Sequence, residues 1–206
     1  MTRIFSIARS TMLPDTRMKI EKTPIRNCLV ITPDVQGDER GFFMEAFRAT
    51  WLENEGERET FVQHNHSHTK NKNTIRGLHF QWDPPMGKFA RITRGSAYLV
   101  AVDLRKGSPT LGKWFGIEAS EENRKQLYTP GGFARGIQTL SDECDMQYLC
   151  SAYYDASKEG LLRWSDPDVA INWPIKENPF VSDKDRNAPT LKEWLTRPES
   201  DFFRYS

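Results

Sequence analysis

This chain is short of histidine, cysteine and net charge, and each shortage removes a class of function. Only four histidines occur in 206 residues, so imidazole chemistry has few places to sit. Cys28, Cys144 and Cys150 are odd in number and show no CxxC or zinc-type spacing, which speaks against a disulfide framework or a cysteine-based metal module. The expectation is a cytoplasmic protein with free thiols, in which Cys144 and Cys150, set in strand-like sequence, act as small buried apolar residues. Lysine and arginine number 29 against 28 acids, a formal net charge of +1. That balance gives no reason to propose nucleic acid or a membrane surface as partner, although local positive charge can still hold a small anion. No stretch reaches the roughly 18 apolar residues of a membrane-spanning helix. The opening MTRIFSIARSTMLPDT carries charges without the sustained apolar run of a signal peptide.

Helical periodicity is scarce too, and the chain has no internal repeat, linker or low-complexity tract. Short alternating runs are separated by Gly, Pro and Asn turns. Tyr98, Val100, Val102 and Leu104 share one parity while Asp103 and Arg105 fall on the other, which predicts a half-buried strand. It should end at Lys106-Gly107-Ser108-Pro109, where glycine frees φ and proline cannot continue a ladder. A second run, Met146, Tyr148, Cys150, Ala152 and Tyr154, repeats the alternation. Short helices are expected over Arg48 to Asn54, over Ser120 to Arg124, and after Pro189. In the last, Thr190 and Glu193 have capping-box spacing, with Leu191, Trp194 and Leu195 on one face. Many strands and few helices imply an all-β sandwich or barrel, and this length fits one domain.

Arg76-Gly77-Leu78-His79-Phe80-Gln81, with Gly87-Lys88 shortly after, carries the chemistry. A base, cations and a glycine-relieved backbone close together suit proton abstraction beside a group whose negative charge must be held. Left to itself, a histidine in an apolar run is more often a core residue. Arg76 and His79 stand three apart and would face opposite sides of a regular strand, so both reach one site only if a bulge forms at Gly77. A rival constellation is His64-x-His66-x-His68, which on a strand shares one face, as a metal-dependent oxygenase or isomerase would require. Against it, no distant carboxylate or further histidine is singled out to complete the ligand set.

The motifs RGLHFQ, DERGFFMEAF (Asp38 to Phe47), VAVDLRKGSPTLGKW (Val100 to Trp114) and SDKD (Ser182 to Asp185) occur in an order and spacing that resembles the dTDP-4-dehydrorhamnose 3,5-epimerase family. The resemblance runs from Met18 to Leu191. It implies a jelly roll of the cupin type, a double-stranded β-helix, over residues 18–206, with a short C-terminal helix. Residues 1–17, which precede it, read either as an extension, expected to be mobile, or as an over-long start assignment. The resemblance further implies a homodimer in which the segment around DERGFF crosses to the neighbour, and a nucleotide-diphosphate sugar as substrate. The implied reaction inverts C3, C5 or both in a 4-keto-6-deoxyhexose; a mono-epimerase on a different nucleotide sugar is the nearby alternative. The ketone acidifies the neighbouring C–H bonds, so no cofactor or metal is required.

By the same resemblance His79 is the base, and its ordinary pKa of about 6.5 suits the task. A carboxylate should fix its tautomer. The family pattern points to Asp185, with Asp183 the competitor, although SDKD alone reads as a charged surface turn. Tyr148 is the acid and Lys88 the cation at the ketone oxygen. Tyr154 takes the role of stacking on the nucleotide base; in an unbroken strand it would share a face with Tyr148 at roughly 20 Å. Arg40, Glu45, Gln63, Asn65, Arg76, Glu159 and Lys184 are the implied substrate-binding set, Arg40 and Glu45 reaching in from the other subunit. The pattern departs at Gly132-Phe133-Ala134-Arg135-Gly136-Ile137, where the family has GFAHGF. Arg135 for histidine either strengthens a phosphate contact or marks a different nucleotide or hexose. Asp155-Ala156 replaces a family proline after the tyrosine pair, and Gly160-Leu161 replaces Arg-Gly.

Overall fold

The computed structural model describes residues 18–205; the segment read as an extension, residues 1–17, lies outside them. In chain order the elements are β1 (Lys19–Lys22), β2 (Leu29–Thr32), β3 (Val35–Asp38), β4 (Gly41–Met44), α1 (Ala49–Glu53), β5 (Gln63–Lys70), β6 (Thr74–Gln81), β7 (Lys88–Arg94), β8 (Ser96–Asp103), β9 (Trp114–Ser120), β10 (Gln126–Thr129), β11 (Phe133–Thr139), β12 (Glu143–Cys150), β13 (Glu159–Leu161), β14 (Phe180–Val181), α2 (Asp183–Arg186) and α3 (Leu191–Leu195). One sheet runs β1-β2-β10-β7-β12-β5 and the other β13-β6-β11-β8-β9, with β14 also pairing β6. Every pairing but that of β14 is antiparallel. Chain neighbours often lie in opposite sheets, as in the expected jelly roll. Hairpin β3–β4 belongs to neither sheet.

The half-buried strand predicted around Tyr98 is instead buried on both faces. Val100, Val102 and Leu104 join a core with Trp173, Leu191, Trp194 and Phe203 of the C-terminal segment. Ala97, Leu99 and Ala101 face the other way, into an inter-sheet core with Cys28, Ile92, Leu127 and Phe133. The C-terminal segment covers the outer face of the second sheet, and alternation along one strand carries no information about that cover. Phe80, Trp194 and Phe203 meet with ring centroids 4.6 and 5.6 Å from Phe80, edge contacts worth about 0.5–1.5 kcal/mol each beyond burial. Asp103 and Arg105, placed on the polar parity, are buried as an ion pair at 2.8 Å. On the first sheet the outer face carries Leu29, Ile31, Phe89 and Tyr128 beneath Trp51 and Leu52 of α1.

Helix α1 sits inside the expected range, Arg48 and Asn54 forming its caps. The capping box of α3 is formed, Thr190 and Glu193 satisfying each other's backbone. Ser120 to Arg124 is a turn, not a helix. The Ser120 hydroxyl accepts from the Glu122 and Asn123 amides, the Asn123 side chain accepts from Ser120 and Lys125, and Arg124 has φ +54°. Such local bonds compete with helix formation. The three cysteines are unpaired and buried. Among the described residues no helix is long and apolar enough to cross a membrane.

Candidate active site

The inter-sheet core fills only part of the sandwich. Leu99, Leu127 and Ile137 end that core and form the floor of a cavity whose walls are the two sheets. Its space, the open mouth included, is about 740 Å³. Strand β6 supplies one wall and strands β5, β7 and β12 the other.

On β6 the register against β11 pairs His79 with Arg135 but Arg76 with Ile137, so three steps on β6 face two on β11. The extra residue is the bulge expected at Gly77. Its φ is +114°, and an added Cβ would meet the Arg135 carbonyl oxygen at 2.6 Å, so only glycine fits. Arg76 and His79 consequently both line the cavity.

His79 Nε2 lies 2.6 Å from Asp185 Oδ1. The other oxygen, Oδ2, accepts from the Gly77 amide at 3.1 Å. SDKD is not a surface turn: Ser182 caps the single turn of α2 by accepting from the Asp185 amide, and the turn sends Asp185 inward while Asp183 and Lys184 stay exposed. Geometry thus selects Asp185 over Asp183. Burial raises the Asp185 carboxyl, but the bond and charge of His79, with the Gly77 amide and Ser182, outweigh it and hold the group below the usual carboxylate range. An ionised carboxylate accepts only, so Nε2 carries the ring proton and Nδ1 is left with the lone pair. The imidazole is 32% exposed and its carboxylate 4%: one partner is locked in the protein and the other opens to the cavity.

Lys88 and Tyr148 occupy the opposite wall. Lys88 pairs with Cys150 across the β7–β12 ladder and Tyr148 with Ala90, which sets the ammonium 5.2 Å from the phenol ring centroid. Burial, and next the charge of Arg135, lowers Lys88 to about 8, with Cys150 and Glu159 acting in the opposite sense. Burial raises Tyr148, against a hydrogen bond from Asn65, so the phenol keeps its proton. A histidine with its carboxylate on one wall thus faces a phenol and an ammonium on the other.

The remaining sequence-predicted residues divide into groups. Gln63, Asn65, Tyr154, Glu159 and Lys184 form a bonded rim. Gln63 Nε2 donates to Asn65 at 2.9 Å, the Tyr154 amide donates to Gln63 at 2.9 Å, and the Tyr154 hydroxyl and Lys184 both reach Glu159. The unbroken strand from Tyr148 to Tyr154 is not formed. β12 stops at Cys150 and the chain bends through Ser151 and Ala152, so Tyr154 is placed by a loop and is 55% exposed. Arg40 pairs with Asp38 on the β3–β4 hairpin and Glu45 with Arg48, and neither lines this chain's cavity.

Arg135 lines the cavity but is not arranged for a phosphate. Nη1 donates to the Phe133 carbonyl, Nη2 to those of Met86, Thr129 and Pro130, and Nε to the Thr129 hydroxyl. His64, His66 and His68 do share a face of β5, but it is the exposed one, while Asn65, Ser67 and Thr69 point inward. No group of three or more metal-ligating side chains able to hold an ion occurs among the described residues. At Gly160, where the family pattern has arginine, a Cβ would strike the Phe80 ring at 2.0 Å, so that ring occupies the space of the missing side chain. Sequence reasoning missed Ser67, Thr129 and Met146 of the lining. Ser67 and Met146 were within reach of parity, two residues from Asn65 and Tyr148 on their respective strands; Thr129 left no comparable signal.

Comparison with known proteins agrees with this geometry. The family model described as dTDP-4-dehydrorhamnose 3,5-epimerase matches residues 22–193. The dTDP-4-dehydrorhamnose 3,5-epimerase of Salmonella typhimurium is 46% identical over 180 residues, covering 86% of this chain and 98% of that protein. A crystal structure of dTDP-6-deoxy-D-glucose-3,5-epimerase from Legionella pneumophila, in complex with dTDP-4-keto-L-rhamnose, aligns with TM-score 0.85 and 40% identity over 92% of this chain and 99% of that one. A 3'-monoepimerase from Streptomyces bikiniensis, in complex with dTDP-quinovose, aligns with TM-score 0.78 and 32% identity over 84% and 89%. With most of its length matched and its strands in the same arrangement, this chain belongs to the dTDP-4-dehydrorhamnose 3,5-epimerase family.

Proposed function

We propose that this protein is a cofactor-independent epimerase of a dTDP-linked 4-keto-6-deoxyhexose, inverting C3 and C5. The observation that carries the reading is the division of groups between the sheets: His79–Asp185 on one wall, Lys88 and Tyr148 on the other. A hexose ring held between the walls presents one face to a base and the opposite face to an acid. Nδ1 of His79 takes the proton from the carbon beside the ketone, and Asp185 stabilises the imidazolium that forms. The electron pair moves onto the ketone oxygen, where the Lys88 ammonium holds the enolate charge in a site of low dielectric. Tyr148 then delivers its proton to the far face of the carbon, which completes the inversion. The ketone is the electron sink for both C3 and C5, so one set of groups serves both once the ring is repositioned.

The rim of Tyr154, Glu159 and Lys184 would receive the nucleotide end of such a substrate, and Arg76 offers a planar fork to the diphosphate. Arg40 and Glu45 act in the neighbour's site of a homodimer. Hairpin β3–β4 stands outside both sheets with Phe42 and Phe43 57% and 71% exposed, apolar surface of the kind an exchanged element would bury. Three unpaired buried thiols favour the cytoplasm as its compartment. The test is incubation in heavy water with a panel of 4-keto nucleotide sugars, following label at each ring carbon. Deuterium at both C3 and C5 of the dTDP-linked sugar is expected. Label at C3 alone would reassign it as a mono-epimerase, and no label with any member would remove the reading.

A further inference from the structure

Arg135 is the charged residue of the cavity that the reaction above does not use. Its surroundings are unusual for a buried guanidinium. Four backbone carbonyls and one hydroxyl take its donors, and no ion pair joins it to a carboxylate among the described residues. Glu59, the acid whose charge reaches it, is occupied with the Tyr128 hydroxyl at 3.2 Å. The carbonyls come from the segments that flank Lys88. Met86 precedes Lys88 by two residues, and Thr129 is its ladder partner on β10.

We propose that Arg135 is a positioning residue for Lys88: it clamps the approach to the lysine and sets an unneutralised positive charge beside the ammonium, and so fixes the alkaline limit of the enzyme. The inference rests on the reading of Lys88 as the cation at the ketone oxygen. The groups facing Lys88 are Arg135 from β11, Cys150 and Tyr148 from β12 and Glu159 from β13, with Arg76 and His79 across the cavity on β6. Glu159, the acid among them, is engaged by Lys184 and Tyr154, and the Cys150 thiol is raised by burial and stays neutral. The cations about Lys88 are therefore poorly balanced. Burial and Arg135 together bring it to about 8. The ammonium is the form that holds the oxygen, so kcat/KM should fall as pH rises through about 8.

The test reads Lys88 directly, by 13Cε NMR titration of labelled enzyme, beside the pH profile of kcat/KM. Wild-type Lys88 is expected to titrate near 8, and the alkaline limb to coincide with it. Arg135→Gln, or Arg135→His, which restores the family pattern and is neutral at alkaline pH, should move both upward by about one pH unit. Arg135→Lys keeps the charge and should leave both near the wild-type position, while raising KM as the clamp loosens. Wild-type Lys88 titrating above 10 would overturn the proposal without any variant, as would an unmoved Lys88 titration in Arg135→Gln or Arg135→His. A Lys88 titration that moves while the activity limb stays would overturn the claim that Arg135 sets the alkaline limit, and would remove Lys88 from the ketone oxygen.

Discussion

Asp103 and Asp185 are both buried aspartates paired with a base, and the protein uses them in opposite ways. Asp103 is closed on every side. Oδ1 accepts from the Arg105 amide and Nε, and Oδ2 from Arg105 Nη2, the Ser108 hydroxyl and the Thr110 hydroxyl, at 2.6 to 2.9 Å. Arg105 is itself held between the Phe133 and Tyr205 rings and bonded to Asn27 and the Arg26 carbonyl. Asp185 is fixed as firmly from behind, by Gly77 and α2, but its partner is an imidazole with a free edge in the cavity. An arginine cannot give up its proton in a protein and a histidine can. The first pair therefore serves the fold alone, and the second can move protons while the fold stays still.

Substitution should separate these roles. The largest effect is expected at the open pair. His79→Asn keeps an N–H near Asp185 but has no basic nitrogen, and should lower epimerisation by about 10³–10⁴-fold with solvent-deuterium exchange lost to match. Its melting temperature should change little; exchange at the wild-type rate would remove His79 as the base. At the closed pair, Asp103→Ala strands the Arg105 guanidinium and should cost about 3–5 kcal/mol of stability by denaturant unfolding. The molecules still folded should turn over normally, and a large loss of activity per folded molecule would erase the contrast. Next in size, Tyr148→Phe tests the wall facing the open pair. Inversion should fall about 10²-fold, whereas exchange, which His79 performs by removing and returning a proton on one face, should fall far less. Equal loss of both would argue against the phenol as acid.

The two pairs also differ in how far the sequence disclosed them. Asp185 was reachable because SDKD, RGLHFQ and Gly77 each carry a local signal, and the bulge that unites Arg76 with His79 follows from glycine and parity. The choice between Asp183 and Asp185 needed one turn of helix, whose direction no motif encodes. Asp103 and Arg105 sat on the polar parity of a strand and read as solvent-facing. Their burial depends on cover from Asn27, Phe133 and Tyr205, which lie far along the chain. Arg135 is the extreme case: the residue change is visible in the sequence, but the direction of its guanidinium is decided by backbone carbonyls of Met86, Thr129, Pro130 and Phe133. Strands and caps follow local rules, and so were legible; the partners of buried charges are set by tertiary contact.

The smallest effects sharpen the comparison most, because they remove one hydroxyl at the edge of each pair. Thr110→Val keeps the shape and deletes a single donor to Asp103 Oδ2, leaving Ser108 and Arg105 on the same oxygen. A loss of about 1.5 kcal/mol in stability and none in kcat is expected. Ser182→Ala deletes the cap that accepts from the Asp185 amide at 3.1 Å, with a cost near 1 kcal/mol. Its consequence should differ in kind. The turn that aims Asp185 loosens, the imidazole loses its fixed tautomer part of the time, and kcat should drop a few-fold at unchanged KM. If Ser182→Ala and Thr110→Val both alter stability alone, α2 is only scaffold, and the aim of Asp185 comes from the Gly77 amide instead.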